Sequence, residues 1–405
     1  MSLKSFLNKC FIKSFLLTYN GYKSYKEYLK TKKYTKVQFA NNFNGGPVLL
    51  LALYEKEKLR EDIINLLQAA KNQGLYILAV NTLKILPENY RSDLIDVYIE
   101  KDNFGRDFGS YKCGMKYLYD NKISEDLSRL LILNDSLFYS KKNLEIFLNN
   151  LIKSNIDVLG ATENYEISHH LGSFCISINN HIMNHPKLIN YWKNYKNTNT
   201  RPLVIKNGEM ALTNVLKSLT NMDCGFKAYY DSQFLEKNLL NNEDYFKNYY
   251  KFKRQGTNKK FWNYQTITES FEQNISIKTA IKKYLNLKAK KLKAQEIEDF
   301  FNSYDFSPSK ENTILKRQII GVYVSDFIQG SQIHNNCIQL VYLGLPIIKL
   351  DLLFRDVCSI QDILLIQSLL DPSEKDHFYR MLINKPSGSK NLRGINLINF
   401  SHGFI

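Results

Sequence analysis

The sequence predicts an α/β fold: a Rossmann-type, mostly parallel sheet flanked by helices, followed by a mainly helical C-terminal region. Three observations predict it. From Val48 onward, short apolar runs alternate with stretches of helical period, the pattern of βαβ units. The run Leu130-Leu-Ile-Leu133 stops abruptly at Asn134-Asp135-Ser136, as a buried strand does at the edge of a sheet. Other strand-like runs end in polar residues too, at Tyr54-Glu55, Asn81 and Asn103–Asp107. Right-handed crossovers put the carboxyl ends of parallel strands on one rim, where ligands bind. These polar ends are therefore expected to converge.

The elements follow in order. The first 45 residues hold nine Lys and one acid, Glu27, with Leu3, Phe6, Leu7, Phe11, Phe15 and Leu16 at roughly helical spacing. Two readings stay open for them. One is a basic amphipathic helix lying on an anionic membrane. The other is a helix packed on the protein's own core with its lysines in water. Asn44-Gly45-Gly46-Pro47 is a breaker. Strands are then expected at Val48–Leu53, Leu75–Val80 and Leu94–Ile99, and through the run ending at Asn134. Glu57–Lys71 and Gly109–Tyr119 are expected as helices. Ile156–Gly160 and Ser173–Ile178 read as further strands, His181–Lys196 and Gly208–Ser218 as helices, and Gly225–Tyr230 as a late strand. Polar, aromatic and basic residues dominate Asn241–Asn263. A Lys-rich helix (Ile277–Phe300) and an apolar-faced one (Ser359–Leu370) come after it. The expected organisation is a basic helical segment (1–45), a ligand-binding α/β domain (46–240), a linker (241–263) and a basic, mainly helical region (264–405).

Composition bounds the partners. The formal net charge of +16 over 405 residues calls for an anionic partner: nucleic acid, anionic lipid or a phosphorylated ligand. Lys, Tyr and Asn drift in composition is the bland alternative. No RRM, KH, zinc-finger or helix-turn-helix signature appears, so nucleic acid is not the expected partner. Six cysteines are scattered without a C-x-x-C pair, which fits reduced thiols in a cytoplasmic protein. No apolar run reaches about 18 residues, so no membrane-spanning helix is expected.

The candidate chemistry lies at the strand ends. Gly105 and Gly109 bracket Arg106 and Asp107 after a strand and before a helix. Such glycines let backbone approach a phosphate at a helix N-terminus, or simply make a tight turn. G-x-G-x-x-G and G-x-x-x-x-G-K-[ST] are both absent. Asp135 could hold a divalent cation on a diphosphate, or cap a following helix. Asn134 and Ser136 add no second carboxylate. Glu209 opens a predicted helix, where the dipole favours an acid; equally, it could serve as general base on the rim. His169 and His170 are adjacent, so a strand points them oppositely and only one can line a pocket. Ser173 lies just beyond them.

Asn103-Phe-Gly-Arg-Asp-Phe-Gly109, Leu131-Ile-Leu-Asn-Asp-Ser136 and His170-Leu-Gly-Ser-Phe174 resemble the rhamnan synthesis F family. So does Gly344-Leu-Pro-Ile-Ile-Lys-Leu-Asp-Leu-Leu353. The resemblance covers roughly 46–230, with an echo at 320–357. It implies a bacterial glycosyltransferase of surface-polysaccharide assembly with a GT-A-like nucleotide-sugar domain. By that resemblance Tyr54, Glu55 and Asn81 would hold the nucleoside. Asn103, Arg106 and Asp107 would border the donor sugar or diphosphate. Asn134-Asp135-Ser136 would stand at the Asp-x-Asp position with one carboxylate, so Mg2+ or Mn2+ is a candidate cofactor rather than a requirement. Glu209 would take the place of the inverting base.

The function expected from sequence is therefore transfer of a sugar, rhamnose among the candidates, from a nucleotide-diphosphate donor to a surface-glycan acceptor. The acceptor would be carried on a lipid at the inner face of the cytoplasmic membrane. Two alternatives stand: a non-catalytic GT-A-like scaffold of an assembly complex, and a basic nucleic-acid-binding protein.

Overall fold

The computed structural model describes residues 3–220, 225–254, 308–384 and 388–405, with Gln295 and Asp299 as isolated positions. The expected Lys-rich helix at 277–300 and Cys224 lie outside the described residues, apart from Gln295 and Asp299. The side chains of Leu3, Phe6 and Leu7 also lie outside them.

The strands are β1 (Thr35–Ala40), β2 (Gly46–Leu53), β3 (Tyr76–Asn81), β4 (Val97–Lys101), β5 (Leu127–Asn134), β6 (Leu137–Tyr139), β7 (Val158–Gly160), β8 (Glu163–Asn164), β9 (His170–Leu171), β10 (Cys175–Asn179), β11 (Phe226–Ala228) and β12 (Ile347–Lys349). Eight form one sheet, ordered β1-β4-β3-β2-β5-β10-β7-β11. The four central strands, β4-β3-β2-β5, are parallel. β1 and β10 run antiparallel to their neighbours, and β11 is parallel to β7.

Alternation along β2 explains its burial on both faces. Leu49, Leu51 and Leu53 face one core with Ile63, Leu66 and Leu67 of the helix Glu61–Asn72. Val48, Leu50 and Ala52 face the other with Phe108, Tyr111, Met115 and Leu118 of the helix Arg106–Asp120. Helices thus cover both faces. The chain winds from β2 out to β4, then returns to β5 on the other side of β2. The crevice between the carboxyl ends of β2 and β5 is the switch point of such a sheet.

Several expectations shift. The strand expected at Leu94–Ile99 starts at Val97, because Leu94 and Ile95 turn back onto the Arg91 carbonyl. The helix expected from Glu57 begins at Glu61; Glu57 has φ +65° and cannot join it. The helix expected at His181–Lys196 divides into Asn180–Met183 and Pro186–Asn194. Pro186 carries no N–H, and the His185 ring accepts from the Lys187 amide instead. β1 lies within the stretch assigned to the first unit, so the sheet continues across residue 45. The C-terminal region is helical at Pro308–Phe327, Ile360–Leu369, Lys375–Ile383 and Gly394–Ser401. It also contributes β12, which pairs antiparallel with β6 in the register Ile347↔Tyr139 and Lys349↔Leu137. That pairing brings a distant segment to the end of β5. Among the described residues no helix is long and apolar enough to cross a membrane.

Gly105 and Gly109 make the tight turn of their two readings. Gly105 has φ +100°, and a Cβ there would lie 2.9 Å from Asn197. A Cβ on Gly109 would lie 2.6 Å from the Phe104 carbonyl oxygen, which is backbone and cannot swing away. Alanine at 109 gains about 1 kcal/mol of helix propensity, but overpacking costs about 1–3 kcal/mol. Gly109→Ala is expected to lower the urea midpoint at unchanged m-value; a midpoint equal to or above wild type would refute the close-approach account.

Candidate functional site

The rim is built from locks as well as from open groups. At the end of β3, Asn81 is fully buried. Its Oδ1 accepts from the Glu55 amide at 3.0 Å, and its Nδ2 donates to the Glu55 carbonyl at 2.8 Å and to the Tyr98 hydroxyl at 2.9 Å. Asn81 therefore shapes the turn after β2 and does not reach the cavity described below. Tyr54 stays exposed at that turn, while Glu55 is buried.

Asp135 follows β5, and its carboxylate accepts from the Tyr54 amide while its own N–H donates to the Ala52 carbonyl at 3.1 Å. A strand, β6, comes next, so the helix-cap reading of Asp135 is overturned. Arg60 sits beneath. It donates to the carbonyls of Asp135 and Leu137, each at 2.9 Å, and pairs with Glu55 at 3.2 Å and Asp62 at 3.1 Å. Burial raises the Asp135 carboxyl to about 6 against the pull of Arg60. Burial likewise raises Glu55 to about 7. These acids belong to a buried charged knot under the rim.

Asn134 is a second clamp. Its amide donates to Asp107 Oδ2 and to the Tyr111 hydroxyl, both at 3.0 Å, and its Oδ1 accepts from the Ser136 hydroxyl at 2.6 Å. Ser136 in turn accepts from Lys349 Nζ at 3.0 Å. Lys349 lies 4.5 Å above the Phe174 ring, a cation–π contact that fixes its position.

A cavity of about 510 Å³ opens beside these residues, within the range of small-molecule sites. Of the residues picked out from sequence, Arg106, Asp107, Asn134, Ser136, His170, Ser173 and Glu209 line it. Tyr54, Glu55, Asn81, Asn103, Asp135 and His169 do not. Asn103 is exposed outside it. His169, just before β9, turns away: its Nε2 meets Glu163 Oε1 at 2.8 Å and its Nδ1 meets Lys217 Nζ at 2.8 Å.

Glu209 lies in a π-helical segment, Ile205–Met210, inside a continuous run from Arg201 to Lys217. It is not in a first turn, so the helix-dipole reading fails. The widened turn frees backbone carbonyls, and the Tyr191 hydroxyl is 3.1 Å from that of Asn207 and 3.2 Å from that of Gly208. Glu209 Oε2 faces His170 Nε2 at 3.7 Å. His170 Nδ1 lies 2.8 Å from the Ser168 carbonyl, which assigns the proton to Nδ1 and turns Nε2 toward Glu209. Burial disfavours the imidazolium, but Glu209 and the Ser168 carbonyl outweigh it and raise His170 above its ordinary value.

Sequence reasoning missed the residues that complete the cavity: Arg201, His334, Lys349, Asp351 and Arg355. Burial, then the neighbouring Arg355 and Arg106 cations, lower Arg201, so three guanidiniums crowd one region. Asp351 pairs with Arg355 and, at 3.2 Å, with His334. Burial opposes its charge, but His334, Lys349 and Arg355 hold it well below the usual carboxylate range. The Gly344–Leu353 motif carried Lys349 and Asp351 in plain view; Arg201, His334 and Arg355 had no local signal. Among the described residues no group of three or more His, Cys, Asp or Glu side chains is placed to hold a metal ion.

Residues 77–256 match the family described as rhamnan synthesis protein F. The rhamnan synthesis F match takes in β3 to β5, Arg106, Asp107, Asn134, His170 and Glu209, and stops short of Lys349 and Arg355. An uncharacterised protein of Sinorhizobium fredii, y4gN, is 26% identical over 205 residues, 49% of this chain and 52% of its own length. The virulence protein VirA of Vibrio anguillarum is 32% identical over 148 residues, 36% of this chain and 47% of its own length. The chain thus spans about half the length of the curated relatives it matches. Two crystal structures of the glycosyltransferase GlyE of Streptococcus pneumoniae align at 12% identity. The apo form has a TM-score of 0.26 over 51% of each chain, and the other 0.25 over 70% of this chain and 64% of that one.

The His170–Glu209 pair has a signed consequence. A histidine raised in the folded state stabilises fully below its unfolded value of about 6.5, and that contribution fades as pH rises through the folded value. His170→Asn is expected to lower Tm more at about pH 6 than at about pH 9. Thermal melts at both would settle it, an equal loss counting against the pair.

Proposed function

We propose that this protein is a glycosyltransferase that moves a sugar from a nucleoside-diphosphate donor to a glycan hydroxyl, with inversion at the anomeric carbon. The observation that carries the reading is a carboxylate, Glu209, backed by His170, in the same cavity as Lys349, Arg106, Arg201 and Arg355. The rhamnan synthesis F match supports it. The name of that family makes rhamnose the first sugar to test.

The chemistry follows from the groups present. Glu209 takes the proton of the acceptor hydroxyl. The acceptor oxygen bonds to the anomeric carbon from the side opposite the diphosphate. The bond from that carbon to the phosphate oxygen breaks, and its electron pair stays on the diphosphate. Lys349 and the arginines stabilise the charge that develops there. Asn134 and Ser136 hold Lys349 and Asp107 in place for this task. Tyr54, exposed at the switch-point crevice, is the group best set to contact the nucleoside.

The cation role of Asp135 gains no support from its neighbours. One carboxylate, bonded to the Tyr54 amide and flanked by Arg60, is not a ligand set for Mg2+ or Mn2+. The reading therefore assigns the leaving-group charge to side chains and routes no step through a metal.

Glu209→Gln keeps the shape and removes the base. It is expected to cut transfer from the best donor in a nucleotide-sugar panel by about 100-fold or more, with Tm within a degree or two of wild type. Undiminished turnover would end the mechanism. Lys349→Met is expected to weaken nucleoside-diphosphate binding about tenfold, and calorimetry in EDTA should give the same affinity as in Mn2+. A strict Mn2+ requirement for binding would overturn the side-chain assignment.

A further inference from the structure

The N-terminal helix Leu3–Lys30 has two opposed faces. The inner face packs on the protein through Leu16, Asn20, Ser24 and Glu27. Leu16 and Ser24 are buried. Asn20 Nδ2 donates to Asn399 Oδ1 at 2.8 Å, Ser24 Oγ accepts from the Asn199 amide at 2.9 Å, and Glu27 accepts from Asn199 Nδ2 at 2.7 Å. The outer face is a continuous stripe at spacings of three and four. Phe11 is 75% exposed, Phe15 55%, Tyr22 59%, Tyr25 58% and Leu29 62%, with Thr18 completing the row. Soluble proteins do not leave such a row uncovered without a use for it.

We infer that this outer face docks the protein on an anionic lipid bilayer. Three observations select that occupant. The stripe is aromatic and aliphatic, the chemistry that enters the headgroup–acyl boundary. Exposed Lys26 and Lys30 flank it, and Lys26 lies 4.6 Å over the Tyr22 ring. Between residues 1 and 34 the sole acid, Glu27, points inward to Asn199, so the outer face carries positive charge alone. A second copy fits less well. The spacing would suit a coiled-coil seam, but that seam wants branched aliphatic knobs and acids opposite its lysines. Two copies would bring lysine to lysine with no acid between.

The helix is also wired to the cavity. Asn199, held by Ser24 and Glu27, accepts from the Gly105 amide at 2.9 Å through its Oδ1. Gly105 precedes Arg106, and Thr200, which donates to the Asn20 carbonyl at 3.1 Å, precedes Arg201. Asn399, bonded to Asn20, precedes Phe400 in the cavity wall. Docking would thus hold the Arg106–Arg201 edge of the cavity at a set place relative to the bilayer, suited to an acceptor carried on a lipid. That last point rests on the transferase reading; the docking itself does not.

The test is flotation of the full chain with vesicles of phosphatidylcholine alone or with phosphatidylglycerol added. The expected result is about tenfold or greater preference for the anionic vesicles, falling with salt. The combined variant Phe11→Ser, Tyr22→Ser, Leu29→Ser should abolish flotation on both. Lys26→Glu and Lys30→Glu together should abolish the anionic preference. Melting points within a few degrees of wild type would show that both variants are folded. Equal binding to both vesicles, or binding that survives the stripe variant, overturns the proposal. So does a stripe-dependent dimer in sedimentation without vesicle binding, or stripe-dependent binding to RNA in its place. Nucleotide-sugar binding measured in parallel separates a failure of docking from a failure of the transferase reading.

Discussion

At the centre of the sheet two apolar strands, β2 and β5, run side by side and parallel, and the chain leaves them in opposite directions. Their pairing leaves a gap at the carboxyl ends that no crossover helix can cover. Two sets of bonds hold the loops on either side of that gap. The Tyr54 amide reaches across it to the Asp135 carboxylate, and the Asp135 amide reaches back to the Ala52 carbonyl. Arg60 closes the arrangement from beneath. With these bonds made, the two loops cannot drift apart, and the residues that follow them are held where a ligand can meet them.

The rim separates structural charge from available charge. Glu55, Asp62, Asp135 and Arg60 compensate one another below it, and the two carboxyls with raised values record the cost of that burial. Glu209, Asp107, Lys349 and the three arginines face the cavity instead. Besides burial, the Arg355 cation lowers both Arg106 and Arg201, a crowding that is unfavourable by itself. It becomes reasonable once an anion enters and offsets the repulsion. Lys349 donates to Ser136, Arg355 pairs with Asp351 and Arg201 donates to the Gly403 carbonyl; in the proposed reading these cations and the neighbouring carboxylate would serve a displacement that expels a diphosphate.

The C-terminal region is part of this site and not an appendage. Through three residues of β12 paired with β6, it delivers Lys349 to Ser136, and it adds Asp351, His334 and Arg355 to the cavity lining. The N-terminal helix bonds Asn199 and Asn399, which adjoin residues of the cavity lining. Segments distant in sequence therefore share control of one volume, and any surface that engages the outer helix face acts near its edge.

Much of the architecture was legible because burial writes itself into the local pattern. Val48–Leu53 and Leu130–Leu133 read as buried strands and are covered on both faces, and the order of strands and helices pointed to a mostly parallel sheet, as its four central strands are. Adjacent His169 and His170 had to diverge, and they do. The three-residue strands β6 and β12 left too little pattern to be seen, β1 lay in a segment read as helical, and Pro186 broke a helix whose apolar period ran through it. The sequence by itself also singled out seven side chains that do meet in one cavity. Only the tertiary structure decided that Asn81 and Asp135 are spent on neighbouring backbone, that Glu209 sits in a π turn facing His170, and that Arg201 and Arg355 join Arg106. The physical reason is one of range. Strand and helix patterns depend on neighbours a few residues away, whereas the partner that occupies a side chain's hydrogen bonds can come from anywhere in the chain.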